Sequence, residues 1–214
     1  MSLLIAIKSP EGIVICSDSR LSVSQPNGTP LPDTAFFDSG TKVWVLSPPN
    51  HTVSVGFVGQ AASGVRSVGS LLREYGEAVG VRKTVEEIAR DLHGKLRPMG
   101  LGNIALTVAG FDTTNFYGRM FQINLPGELK ELYPQASWGV ATGGKDDLAR
   151  LVIGAIKPTL ELMPLGASID LCKWLIGLTT ESQKYSLGVA SVGGGPQVAV
   201  LEKGRPARLF DPKN

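Results

Sequence analysis

The chain has 214 residues, 43% hydrophobic and 19% charged, with a formal net charge of +2. That length suits one domain over residues 1–214 with a sizeable core, and so small a charge gives no ground for a nucleic-acid or membrane-surface partner. No apolar run reaches the length of a membrane span, and the N-terminus lacks the basic region and apolar core of a signal peptide.

The first element is a hairpin. Residues 3–20 hold two short apolar, β-branched runs around Ser9-Pro10-Glu11-Gly12, which suits a type I turn: Ser first, Pro second with φ preset, Gly fourth. Folding there returns the chain start to Ser17, Asp18 and Ser19. Residues 22–40, with Pro26, Asn27-Gly28, Pro30 and Pro32, read as a long loop. Residues 42–46 and 52–58 read as strands around Pro48-Pro49-Asn50. From residue 60 to 75 the period becomes helical, through Ala61, Val65, Val68, Leu72 and Tyr75. Thr84 and Glu87 form a capping box, followed by the stripe Val85, Ile88, Ala89, Leu92 and Leu96. Pro98 and Gly100 end that helix.

Strands return at 103–109, 116–124 and 137–141. A third helix carries Leu148, Leu151, Val152 and Ala155 and stops or kinks near Pro158. A fourth runs from Ser168 through Cys172, Leu175, Ile176 and Thr179, and strands at 187–192 and 197–202 flank Gly193-Gly194-Gly195-Pro196. Strand blocks alternate with helix pairs rather than with single helices. That order predicts an α+β fold: a four-layer α-β-β-α sandwich with antiparallel sheets. Cys16 and Cys172 sit in apolar surroundings and read as buried free thiols of a cytoplasmic protein. His51 and His93 show no metal-ligand spacing, so neither metal nor cofactor is expected.

Ser2, Asp18, Lys42 and the strand end Gly56-Phe57-Val58-Gly59 each have an ordinary structural explanation. In this order and spacing they resemble the proteasome-type N-terminal-nucleophile hydrolases: proteasome β-subunits, the bacterial HslV peptidase and Anbu-like relatives. The resemblance covers about residues 2–203. It rests on Ser2, then Asp18-Ser19-Arg20, Gly40-Thr41-Lys42-Val43, Gly56-Phe57-Val58-Gly59, and Gly194-Gly195-Pro196 before a strand.

The resemblance implies a peptidase or amidohydrolase whose nucleophile is Ser2 after removal of Met1. Ser2 would form an acyl-enzyme ester. Its α-amine would act as base, Lys42 held by Asp18 would supply a cation, and the Gly56 N–H would stabilise the oxyanion. Thr142 is the match for the hydroxyl that supports the amine. Val58 would line the substrate pocket, and Arg20 would contribute to substrate binding. Partners implied are further copies in a ring or related assembly, a peptide or protein substrate, and an unfoldase. The chain begins with Ser where most relatives have Thr. The Asp-x-x-Ser before the last strand has no clean match at Val189 and Val192. A non-catalytic structural subunit and an acyl-transfer enzyme are the alternative readings.

Overall fold

The computed structural model describes residues 2–22, 36–63, 66–113, 116–185 and 190–210. Strands β1 (Leu3–Ser9) and β2 (Gly12–Asp18) form the expected hairpin, and Ser9 pairs with Gly12 so that Pro10 and Glu11 make the turn. Every residue of both strands is buried, because both faces of their sheet are covered. Two short strands, β3 (Leu21–Ser22) and β4 (Phe36–Phe37), pair across the predicted loop, whose residues 23–35 lie outside the described residues.

Next come β5 (Val43–Val45) and β6 (Val53–Gly59). The helix predicted from residue 60 starts later. A small hairpin, β7 (Ala62–Ser63) and β8 (Arg66–Ser67), occupies its first turns, and Ser67 then caps α1 (Val68–Ala78) through a box with Ser70. Helix α2 (Val85–Leu96) begins at the Thr84–Glu87 capping box. The central strands are β9 (Ile104–Gly110), β10 (Arg119–Leu125), β11 (Leu129–Leu132) and β12 (Gly139–Gly144). Helix α3 (Asp147–Ile156) stops at left-handed Lys157, just before Pro158. Helix α4 (Leu165–Ser182) starts three residues before Ser168, whose hydroxyl bonds back to the Pro164 carbonyl instead of capping. Residues 190–192 form no strand; the chain closes with β13 (Pro196–Leu201) and β14 (Arg208–Phe210).

Two five-stranded antiparallel sheets result, in the orders β12-β1-β2-β13-β14 and β11-β10-β9-β6-β5. Three apolar layers hold them. Leu3, Ile5, Val14 and Val198 pack with Cys172, Leu175 and Ile176 of α4. Val55, Phe57, Leu106 and Ile123 pack under α1 and α2. Leu4, Ala6, Ile15, Val58, Ala109 and Ala199 meet between the sheets. This is the four-layer α-β-β-α sandwich, and both cysteines lie buried and unbridged within it. No helix among the described residues is long and apolar enough to cross a membrane.

Gly56 faces the inter-sheet layer, and a Cβ there would lie 2.7 Å from both Ile15 Cγ2 and Leu4 Cδ1. Overpacking of this kind costs about 1–3 kcal/mol, so Gly56→Val should lower unfolding stability by that amount in chemical denaturation. An unchanged midpoint would show that the sheets can part here without cost.

Candidate active site

Alternation along β1 decides where Ser2 points. Leu3, Ile5 and Ile7 face the α3–α4 layer, while Leu4 and Ala6 face the other sheet. Ser2 shares the parity of Leu4 and aims between the sheets. There its hydroxyl accepts a 2.7 Å hydrogen bond from Lys42 Nζ, and the residue is only 6% exposed. The Ser2 carbonyl accepts the Lys145 N–H at 2.8 Å. Gly144, at φ +84°, permits that approach: a Cβ there would sit 1.9 Å from the Ser2 carbonyl oxygen.

Asp18 ends β2 with its side chain fully buried. A buried carboxylate needs donors, and it has four. The N–H groups of Leu3, Arg20 and Gly193 reach it at 2.9, 3.2 and 3.1 Å, and Lys42 Nζ at 3.0 Å. The Lys42 side chain is equally buried. Burial pushes the Lys42 ammonium below the ordinary lysine range, opposed by the Asp18 charge. Burial likewise lifts the Asp18 carboxyl, opposed by Lys42 and the backbone donors. The result is a buried relay of hydroxyl, ammonium and carboxylate, open to solvent only at Ser2. A cation so placed favours the deprotonated form of a nearby amine or hydroxyl, as an activated nucleophile requires.

Ser2, Asp18 and Lys42 therefore come together. Val58 lies close by in the inter-sheet layer, its methyl group 3.4 Å from where a Gly143 Cβ would stand. Three other expected residues do not join the cluster. Thr142 pairs with Ile5, on the helix-facing side of the sheet, and its hydroxyl bonds Asp146 at 2.6 Å. Arg20 is occupied elsewhere: its guanidinium grips Asp38 at 2.5 and 2.8 Å, bonds the Ala190 carbonyl at 3.0 Å and stacks on Phe36.

Gly56 is the third. It lies in mid-strand between Val43 and Thr107. The next residue, Phe57, donates its N–H to the Lys42 carbonyl, so by strand alternation the Gly56 N–H faces β9. The same alternation turns the Gly59 N–H toward the Lys42 side. Gly59 ends the strand at φ +101°, a conformation that favours glycine. The motif holds two glycines, and only the strand register separates their roles. Val189 lies outside the described residues, and Val192 is buried. The backbone at 191–192 is instead held by the Gln183 side-chain oxygen, at 2.6 and 3.1 Å from the two N–H groups.

No protein-family model and no curated protein matches the chain. Among solved structures it is similar to the Anbu (Gly-1) mutant from Hyphomicrobium sp. strain MC1. The TM-score is 0.72 at 17% identity, over 98% of this chain and 86% of that one. It is also similar to Anbu, the ancestral β-subunit, from Yersinia bercovieri, with TM-score 0.72 at 16% identity over 98% and 87% of the two chains. Identity this low speaks for architecture alone, and the architecture agrees with the layers above: the chain has the proteasome-like sandwich fold found in Anbu.

Proposed function

We propose that this chain is a proteasome-like peptidase or amidohydrolase subunit that uses Ser2 as its nucleophile once Met1 is removed. The observation that carries the proposal is the buried relay in which Lys42 Nζ lies 2.7 Å from the Ser2 hydroxyl and 3.0 Å from Asp18. The free α-amine, with a reference pKa of about 7.7–8.0, takes the hydroxyl proton as Ser2 Oγ attacks the substrate carbonyl. Lys42 keeps that amine in its basic form through like-charge repulsion. The Gly59 N–H, rather than that of Gly56, meets the oxyanion; one such donor is worth about 2.7–4 kcal/mol of barrier. The amine then protonates the leaving nitrogen, and water releases the acyl group from Ser2. Val58 gives the pocket an apolar wall. A fluorogenic peptide panel should favour apolar side chains before the scissile bond, and a preference for acidic ones would exclude this wall.

A second reading makes Lys42 the base. It is favoured by the direct hydrogen bond to Ser2 and by the burial that lowers the lysine's proton affinity.

One labelling experiment separates these readings. A β-lactone should add its mass to the N-terminal peptide of a chain that starts at Ser2. Ser2→Ala should abolish labelling, Ser2→Thr should retain it, and Lys42→Ala should slow it about 10²–10⁴-fold, the usual worth of acid–base assistance. One extra residue before Ser2 should stop it, because an amide is not a base. Labelling that survives the extension but not Lys42→Ala transfers the base role to Lys42. A parent chain that starts at Ser2 and never labels is a structural subunit, and capture of the acyl group by an added peptide amine would indicate transfer.

Assembly into a proteasome-like oligomer is supported by the outer face of α3 and α4. Of the ten mostly apolar residues of α3 only Ala149 is buried, while Leu151 and Trp174 are 70% and 50% exposed. A helix apolar on all sides is normally covered. Leu151→Glu with Trp174→Glu should lower the mass seen in sedimentation without unfolding the chain. A monomeric parent would overturn the assembly.

A further inference from the structure

We propose that Gln197 is a positioning residue for the Ser2 site, acting through Lys42; the proposal rests on the reading of that site given above. Gln197 lies on β13 opposite Ser17, next to the Pro196–Asp18 pair, and is 1% exposed. Ala199 and Leu201, on the same face of the strand, point into the inter-sheet layer, and Gln197 shares their direction. Its Oε1 accepts the Lys42 N–H at 2.8 Å. The Lys42 carbonyl is held differently, by the N–H of Phe57 at 3.0 Å.

Lys42 is thus fastened to one sheet through its carbonyl and to the other through its N–H. Lysine carries its charge on a flexible four-carbon stem, so the ammonium could reach Ser2 and Asp18 from a range of backbone positions. The Gln197 bond removes that range and sets the height from which the stem starts. Gln197 directly follows Gly194-Gly195-Pro196, with no role of its own implied by that motif, and its bond bridges residues 155 apart in sequence. A displacement of about 1 Å, even from a change far from the chemistry, can cost about 10²-fold in rate.

The test measures N-terminal acylation by a β-lactone as a function of pH and probe concentration, on chains that begin at Ser2. Gln197→Met fills nearly the same space without an acceptor, and Gln197→Glu keeps an acceptor oxygen. Asp18, Arg20 and Asp38 are the charged groups acting on Lys42; all three stay in both variants, and Gln197→Glu adds a fourth. Gln197→Met should slow the saturated rate about tenfold or more, leave the half-saturating concentration unchanged, and move the rising limb of the profile to higher pH. The sign follows from the geometry. A lysine displaced from Ser2 represses the amine's pKa less, and a lysine better solvated holds its own proton longer, so either base needs a higher pH. Gln197→Glu should recover most of the saturated rate; its added carboxylate itself holds the Lys42 proton longer, so the saturated rate and not the limb is its readout.

A folded Gln197→Met with the parent's rate and limb overturns the proposal, as does a Gln197→Glu with the same deficit as Gln197→Met. If Gln197→Met does not unfold cooperatively, Gln197→Glu decides alone. Lys42→Ala run in parallel tells the two levels apart. A dead Lys42→Ala beside an unchanged Gln197→Met removes Gln197 and leaves the site; a Lys42→Ala that labels like the parent removes both.

Discussion

The buried ion pair between Lys42 and Asp18 is the constraint on which this end of the molecule depends. Withdrawing two ions from water costs several kcal/mol for each, and their attraction offsets it only when the remaining hydrogen-bonding capacity is also met. Here it is met by the backbone. The donors to Asp18 come from the start of β1, the residues after β2, the approach to β13 and the approach to β5. Three distant stretches must therefore arrive together beside the local Arg20 donor, or the carboxylate is left unsatisfied. The apolar layers press the sheets into contact without directional preference, whereas this pair fixes where the two sheets stand at the end that carries Ser2.

Arg20 shows the same logic at lower burial. Its fork closes on both oxygens of Asp38 while its plane stacks on Phe36. A lone exposed pair would contribute about 0–1 kcal/mol, but a bidentate and stacked arginine also confers geometry. It holds the segment that leads into Lys42 and reaches across to the Ala190 carbonyl. A cation that the family resemblance implies for substrate binding is spent on building the wall of the site.

Local signals were legible in the sequence. The turn at Pro10-Glu11, the Thr84 cap and the stripe of α2 each lie within a few residues of their partners, and each formed as read. The first helix was read too early because Ala61 and Val65 fit a helical period that a two-residue hairpin also tolerates. Strands β11 and β14 were missed: they are short edge strands with charged residues, and edge position is a property of the sheet rather than of the segment. At the site, Ser2, Asp18 and Lys42 could be named only through the family resemblance, whose order and spacing of motifs this chain keeps. Thr142 and Gly56 could not be placed, since a strand residue's face depends on register and one step reverses it. Gln197 was invisible for a related reason. A glutamine in a strand reads as a polar face until the opposite sheet is known.

The ladder of β1 has a consequence for what the scaffold requires of the chain start. Its pairs with β12 and β2 begin at Leu3 and Leu4 and run inward to Ser9. Among the described residues no rung of this ladder uses a residue before Leu3, and Ser2 is held by its own carbonyl and hydroxyl. Both sheets can therefore close, and the ion pair can form, while the Ser2 nitrogen is still an amide. On the reading proposed above, acquiring a basic amine would leave those rungs intact. The architecture thus makes the scaffold independent of the chemical state of the nitrogen at its edge: the same sheets and the same ion pair serve whether that nitrogen is an amide or an amine.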